Sequence, residues 1–186
     1  MKDTPLITEA KMLAGEAHKG QMRKYSGLPY IVHPIEVATI VQTVDHTDEM
    51  VAAALLHDVV EDTDFTLEDI AKRTSQEVAD LVEGMTEVSK PEDGNRKTRK
   101  AMDRDFLAKQ SAEVQTIKLA DMISNSQDIK TYDPKFAEVY IPEMKELLKV
   151  LDKGDKTLYA KAKEMMKIRN KYNFFSDSFF YKSIKK

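Results

Sequence analysis

The stretch Val51-Ala52-Ala53-Ala54-Leu55-Leu56 is apolar on nearly every side, and His57-Asp58-Val59-Val60-Glu61-Asp62 follows it without a break. A helix that is apolar all round has to be buried, so the remaining chain must wrap around this one. Ionisable groups at the end of a buried helix are costly unless something neutralises them. Residues four apart share a helix face, which sets His57 above Glu61 and Asp58 above Asp62. A divalent metal would offset their charge and gives the stretch a purpose.

The flanking sequence supplies helices to do the wrapping. Residues 6–18 carry Ile7, Ala10, Leu13, Ala14 and Ala17 on one side. Residues 18–30 are rich in glycine and basic side chains and read as a loop, with room for a short extended piece. Pro34 suits the first turn of a helix, predicted over 34–44, with His33 at its mouth. Asp48 is expected to cap the central helix. Thr66-Leu67-Glu68-Asp69 has the pattern of a capping box opening a helix to Arg73. Ser75 starts another, with Val78, Leu81, Val82 and Met85 on one face. Residues 88–95 form the clearest loop, and 96–110, 112–130, 134–151 and 156–172 complete the helices, with Pro142 either kinking its helix or marking the true start. The tail 173–186 mixes aromatics and lysines. No window shows sustained period-two alternation, so the class is all-α, in a single domain spanning 1–186: a core of about 6–151, then C-terminal helices and tail over 152–186.

Composition narrows the function. A net charge of −3 leaves no basic field for duplex nucleic acid. With no cysteine, disulfides and thiolate-held zinc or iron–sulfur clusters are excluded. No apolar run reaches the roughly 18 residues of a membrane span, and the N-terminus lacks a signal-peptide core, so a cytoplasmic protein is expected. The buried-looking ionisable groups are His33, His57, Asp58 and Asp121, with Glu61, Asp62 and Asn125 near them. Two imidazoles and two carboxylates suit manganese, iron or zinc. His18 and His46 read as ordinary histidines of a helix end and a polar turn. The basic run Arg96, Lys97, Arg99, Lys100 and Arg104 reads as a solvated face that could also supply phosphate contacts.

The order His33, His57-Asp58, Asp121 resembles the signature of the HD-domain metal-dependent phosphohydrolases. The segments His18-Lys19-Gly20-Gln21-Met22-Arg23-Lys24, Gly27-Leu28-Pro29-Tyr30-Ile31-Val32-His33-Pro34, Leu55-Leu56-His57-Asp58-Val59-Val60-Glu61-Asp62-Thr63 and Lys118-Leu119-Ala120-Asp121-Met122-Ile123-Ser124-Asn125 are similar to the guanosine 3′,5′-bis(diphosphate) hydrolases. These comprise the hydrolase domain of the Rel/Spo proteins and the stand-alone small alarmone hydrolases, including the metazoan SpoT-homologue type. The resemblance implies an HD-type bundle of about eight to ten helices. It implies one Mn2+ on His33, His57, Asp58 and Asp121, and Glu61 and Asp62 beside the attacking water. It places Arg23 on the guanine, Lys24 near phosphates or base, and Asn125 at the ribose or the water network. Tyr140 is expected to line the pocket. The implied reaction removes the 3′-pyrophosphate from guanosine tetra- and pentaphosphate.

Two departures stand out. Met122 replaces the basic residue common after the metal aspartate, and Ser126-Gln127 stands where Leu-Arg is frequent. They keep open an HD phosphohydrolase acting on another nucleotide, such as the 2′-phosphate of NADPH or a nucleoside monophosphate. A third reading is a non-catalytic nucleotide-binding or antitoxin module.

Overall fold

The computed structural model describes residues 3–24 and 26–167. Ten α-helices and one 3-10 turn make up its regular structure, and no strand occurs among the described residues. The first helix, α1 (Pro5–Ala17), starts on a Thr4 hydroxyl that accepts the Ile7 N–H, with Pro5 at its first position. It buries Ile7, Ala10, Leu13 and Ala14. The loop after it folds back on itself. Gly27, at φ +67°, turns the chain where a Cβ would be strained, and Met22 pairs with Pro29 in a one-residue antiparallel bridge.

Helix α2 (Val32–Val41) begins two residues before Pro34, so His33 lies inside its first turn rather than at its mouth. Helix α3 (Asp48–Leu56) is capped by Thr47, whose hydroxyl accepts the Met50 N–H. Asp48, the expected cap, is instead the first helical residue, where its charge still favours the helix dipole. Every residue from Met50 to Leu56 is buried, as the all-round apolar pattern requires. Burial of Leu55 or Leu56 contributes about 1.5–3 kcal/mol each.

The central helix does not run on to Glu61. It stops at Leu56, turns through His57 and Asp58, and resumes as α4 (Val59–Asp62). Helices α5 (Leu67–Arg73) and α6 (Gln76–Met85) follow, the first opened by a complete Thr66–Asp69 capping box and the second by Ser75. The 3-10 turn Pro91–Asp93 leads to α7 (Arg96–Leu107). Helix α8 (Ala112–Tyr132) is the longest, and it packs on α2, α3, α6, α9 and α10. Helix α9 (Pro134–Leu148) continues past Pro142, which therefore does not mark its start, and α10 (Lys156–Met165) closes the core. The remainder of the helix expected to residue 172, and the tail 173–186, lie outside the described residues.

One apolar core joins α1, α2, α3, α6, α8, α9 and α10. The packing at α8 is close. A Cβ on Gly154 would stand 2.7 Å from Leu119 Cδ1 and 3.1 Å from the Gln115 carbonyl carbon. No described helix is long and apolar enough to cross a membrane.

Candidate metal centre and its cavity

Adjacent residues on a regular helix diverge by about 100°, so His57 and Asp58 could not both face one point from an unbroken α3. The turn at His57-Asp58 removes that obstacle. His57 keeps α3 geometry at its C-cap, while Asp58, at φ −97° and ψ −5°, starts α4. Both side chains then converge on His33 from α2 and Asp121 from α8. The break corrects the expected stacking of His57 over Glu61 on one continuous helix, whereas Asp62 stays one turn beyond Asp58, its N–H bonded to the Asp58 carbonyl at 2.9 Å.

Four atoms form an alternating ring. His33 Nε2 lies 3.2 Å from Asp121 Oδ1 and 3.6 Å from Asp58 Oδ2. His57 Nε2 lies 3.1 Å from Asp58 Oδ2 and 3.7 Å from Asp121 Oδ1. Ligands about 2.0–2.2 Å from a common ion stand roughly 3.0–3.6 Å apart at octahedral to tetrahedral angles, so the spacing fits a divalent cation. His33 and His57 are 1% and 2% exposed. His57 Nε2 is buried and makes no hydrogen bond among the described residues, which is the state of a nitrogen whose lone pair is meant for an ion. His33, His57 and Asp58 can direct one ligand atom each toward a single cation.

The electrostatics agree. Burial disfavours the charged form of His57, but the Asp58 and Asp121 carboxylates outweigh it and push the ring up to about 10. Burial likewise opposes ionisation of Asp58, yet His57 and His33 hold it well below the usual carboxylate range. Asp121 is also held low against burial, first by Lys118 and then by the imidazoles. Burial lowers His33. Two carboxylates locked in the ionised state demand positive charge between them, as a proton or as a metal.

The surrounding residues fix the ring's members. Tyr30 donates its hydroxyl to Asp58 Oδ2 at 2.6 Å. Lys118 sits 3.0 Å from Asp121 Oδ2, and Asn125 Nδ2 donates to Asp121 Oδ1 at 2.6 Å. His57 Nδ1 stands 2.9 Å from the Ala54 carbonyl. A carbonyl can only accept, so Nδ1 carries the proton. His33 Nδ1 meets Ser124 Oγ at 3.0 Å.

The ring opens into a cavity of about 790 Å3. Its lining includes Asp58, Glu61, Lys118, Asp121 and Asn125 at the ring, Arg96, Lys97, Lys100 and Arg104 of α7, and Tyr140. The basic run is thus a cavity wall as well as a helix face. Arg96 is paired with Glu143 at 2.7 Å and Lys100 with Glu87. Glu61 stands exposed at the rim, its Oε1 accepting the Glu87 N–H at 2.7 Å. Crowding by protein atoms pushes Glu61 up to about 7, against the pull of Lys118 and of that N–H.

Not every expected residue is in the wall. Asp62 is exposed beside Tyr30, and its carbonyl accepts from Gln21. Arg23 is 8% exposed and clamped on Asp128, with Nε at 3.0 Å and Nη2 at 2.5 Å from one oxygen. It reaches Asn125 Oδ1 at 3.5 Å, one contact away from the cavity. Lys24 is exposed in the loop. His18 stacks on Tyr30 with ring centroids 4.6 Å apart, and His46 bonds the Val44 carbonyl. Sequence reasoning passed over Tyr30, Lys118 and Ser124. Each stands three residues from a ring member, Tyr30 from His33 and the other two from Asp121, and that spacing was the available signal.

The HD-domain family profile matches residues 10–142. A Synechocystis protein called a probable guanosine-3′,5′-bis(diphosphate) 3′-pyrophosphohydrolase is 39% identical over 133 residues, covering 70% of this chain and 17% of its own length. A Haemophilus influenzae guanosine-3′,5′-bis(diphosphate) 3′-pyrophosphohydrolase is 38% identical over 132 residues, covering 66% and 18%. This chain therefore spans under a fifth of those relatives. Among solved structures, a metazoan ortholog of SpoT, described as hydrolysing ppGpp, superposes with a TM-score of 0.79 at 29% identity, over 89% of this chain and 96% of its own. The Listeria monocytogenes protein lmo0812 gives 0.64 at 26% identity, over 77% and 96%.

Proposed function

Because this chain belongs to the HD-domain family, we propose that it is a manganese-dependent phosphohydrolase of guanosine 3′,5′-bis(diphosphate) and the pentaphosphate, releasing pyrophosphate and GDP or GTP. The carrying observation is the buried ring of two imidazoles and two carboxylates, opening into a cavity that the basic residues of α7 also line. The named relatives supply the nucleotide.

In this reading His33, His57, Asp58 and Asp121 hold one divalent cation, with manganese the ion of choice. When bound, such a cation supplies Lewis acidity and lowers the pKa of water toward neutrality. Glu61 takes the proton of the attacking water, a task suited to a carboxylate poised near neutral pH. Asp62 is the second acid beside that water. Oxygen attacks the phosphorus joined to the ribose 3′ oxygen, the P–O3′ bond breaks, and the leaving 3′ oxygen takes up the proton that Glu61 accepted from the water. Lys97, Lys100, Arg104 and Lys118 offset charge gathering on the pyrophosphate. Asn125, held on Asp121, contacts the ribose or the water network. Arg23 offers its planar guanidinium to the guanine, and Lys24 stands toward phosphate or base.

The rival nucleotides lose one of their motives. Met122 and Ser126 are buried, Gln127 is exposed, and none of the three lines the cavity. The test is incubation with 3′-labelled alarmone and Mn2+, alongside NADPH and nucleoside monophosphates. Pyrophosphate from the alarmone, absent in Asp58→Ala, is the expected result. Orthophosphate from NADPH with no alarmone cleavage would move the reading to the other nucleotide. No turnover of any of them would leave a binding module.

A further inference from the structure

We propose that Ser124 and Glu36 are positioning residues that lock the proton of His33 on Nδ1, so that Nε2 faces the ring as a bare lone pair. The inference rests on the reading of His33 as a ligand and adds to it the device that makes it one.

The proton directions follow from the geometry. Ser124 Oγ lies 3.0 Å from His33 Nδ1 and 3.0 Å from Glu36 Oε2. A hydroxyl has one proton to give, and an ionised carboxylate can only accept. The Ser124 proton therefore goes to Glu36. Its oxygen then turns lone pairs toward His33, and the contact is a hydrogen bond only if Nδ1 donates. The opposite tautomer would let Nε2 donate to Asp121 Oδ1 at 3.2 Å, but it would spend the hydroxyl proton on Nδ1 and leave Ser124 and Glu36 oxygen against oxygen; the relay is what holds the proton back from Asp121. Water reaches the exposed Glu36 carboxylate, but His33 and Ser124 are both buried, so the hydroxyl and Nδ1 have only each other and Glu36 to bond, and a buried unmade hydrogen bond is costly.

His57 provides an internal control. Its Nδ1 is fixed by the Ala54 carbonyl, a main-chain acceptor that no substitution of Ala54 removes. The two imidazoles reach the same tautomer by different means, one through the backbone of α3 and one through side chains of α2 and α8. Glu36 follows His33 by three residues on α2, and Ser124 follows Asp121 by three on α8. One turn of α8 thus supplies a ring carboxylate and also sets the nitrogen next to it. Nothing in the cavity touches this relay, because neither Ser124 nor Glu36 lines the wall. Its contact with the ring runs through His33, while Glu36 also feels the charges of Arg23 and Asp128.

The test uses the full chain and the metal without nucleotide. Long-range 1H–15N correlation of metal-free protein, with His33 assigned by its loss in His33→Gln, reads the tautomer. Mn2+ calorimetry reads affinity. In the parent, His33 is expected to carry its proton on Nδ1. Ser124→Ala should release the tautomer and weaken Mn2+ binding by roughly 10–100-fold, the usual span for loss of a ligand-orienting partner. Ser124→Thr, which restores the hydroxyl, should return affinity to within about threefold, and Glu36→Gln should fall between the two. Turnover at saturating Mn2+ should change little in all three. A parent His33 protonated on Nε2 overturns the proposal. So does a folded Ser124→Ala that keeps the parent's affinity; should that variant not fold, an unchanged Glu36→Gln overturns it equally. A parent that binds no Mn2+ at all defeats the metal reading instead, while the tautomer spectrum still decides the lock.

Discussion

Helices α8 and α7 both line the cavity and are built on opposite terms. Helix α8 is embedded: Ile117, Leu119, Ala120, Met122 and Ile123 are buried on it, and so are Asp121 and Ser124. Helix α7 buries only Asp103 and Leu107 along its length, and leaves Lys97, Lys100 and Arg104 toward the cavity. On α8, protein neighbours decide the charge: Lys118 and the two imidazoles hold the Asp121 carboxyl well below the usual range against its burial. On α7 the charges are held by exposed pairs such as Arg96–Glu143, worth about 0.2–1 kcal/mol and cheap for a phosphate to displace. On the proposed reading, groups that must stay fixed through a reaction sit on the buried wall, and groups that greet and release a polyanion sit on the open one.

The sharpest way to break this contrast is to remove the buried carboxylate. Asp121→Ala should lower kcat by roughly 10³-fold or more and abolish the rise in unfolding temperature on adding Mn2+; wild-type-like turnover would sink the assignment of α8 as the chemical wall. Glu61→Gln comes next, with a loss of about 10²-fold or greater. The parent's kcat should climb with pH through about 7, because Glu61 must be unprotonated to accept a proton and is held near 7. A pH profile of Glu61→Gln should lack that limb.

Two milder changes compare the walls directly. Gly154→Ala presses a methyl into Leu119 and the Gln115 backbone and should cost about 1–3 kcal/mol of stability, read by chemical denaturation, with KM unchanged. Lys97→Ala should do the reverse. KM should rise about threefold to fivefold as one exposed cation is lost, while the denaturation midpoint stays within about 0.5 kcal/mol of the parent. If Lys97→Ala destabilises as much as Gly154→Ala, the two walls are not different in kind.

Much of this was legible from residues alone. The all-round apolar run 51–56 announced a buried helix, and α3 is buried throughout. The capping patterns at Thr66 and Ser75 placed two helix starts. The break at His57-Asp58 was not legible. Val59, Val60, Glu61 and Asp62 carry no glycine or proline to stop a helix, and local propensity favours going on. The chain turns because two neighbouring side chains face one point, a tertiary requirement that no window of sequence contains. The same holds for Arg23. Its loop position gave no sign of a partner, but Asp128, far along the chain on α8, holds it by side-chain hydrogen bonds. Thr47 displaced Asp48 as the cap by a single position, the ordinary ambiguity of adjacent cap formers.

The ring draws on α2, the α3–α4 turn and α8, three stretches far apart along the chain. An ion seated there would act as a rivet, since these stretches could not part without giving it up. At one hundred times its dissociation constant it would add about 2.7 kcal/mol to stability. A chelator would then do two things at once: stop the reaction, and lower the temperature at which the helices come apart.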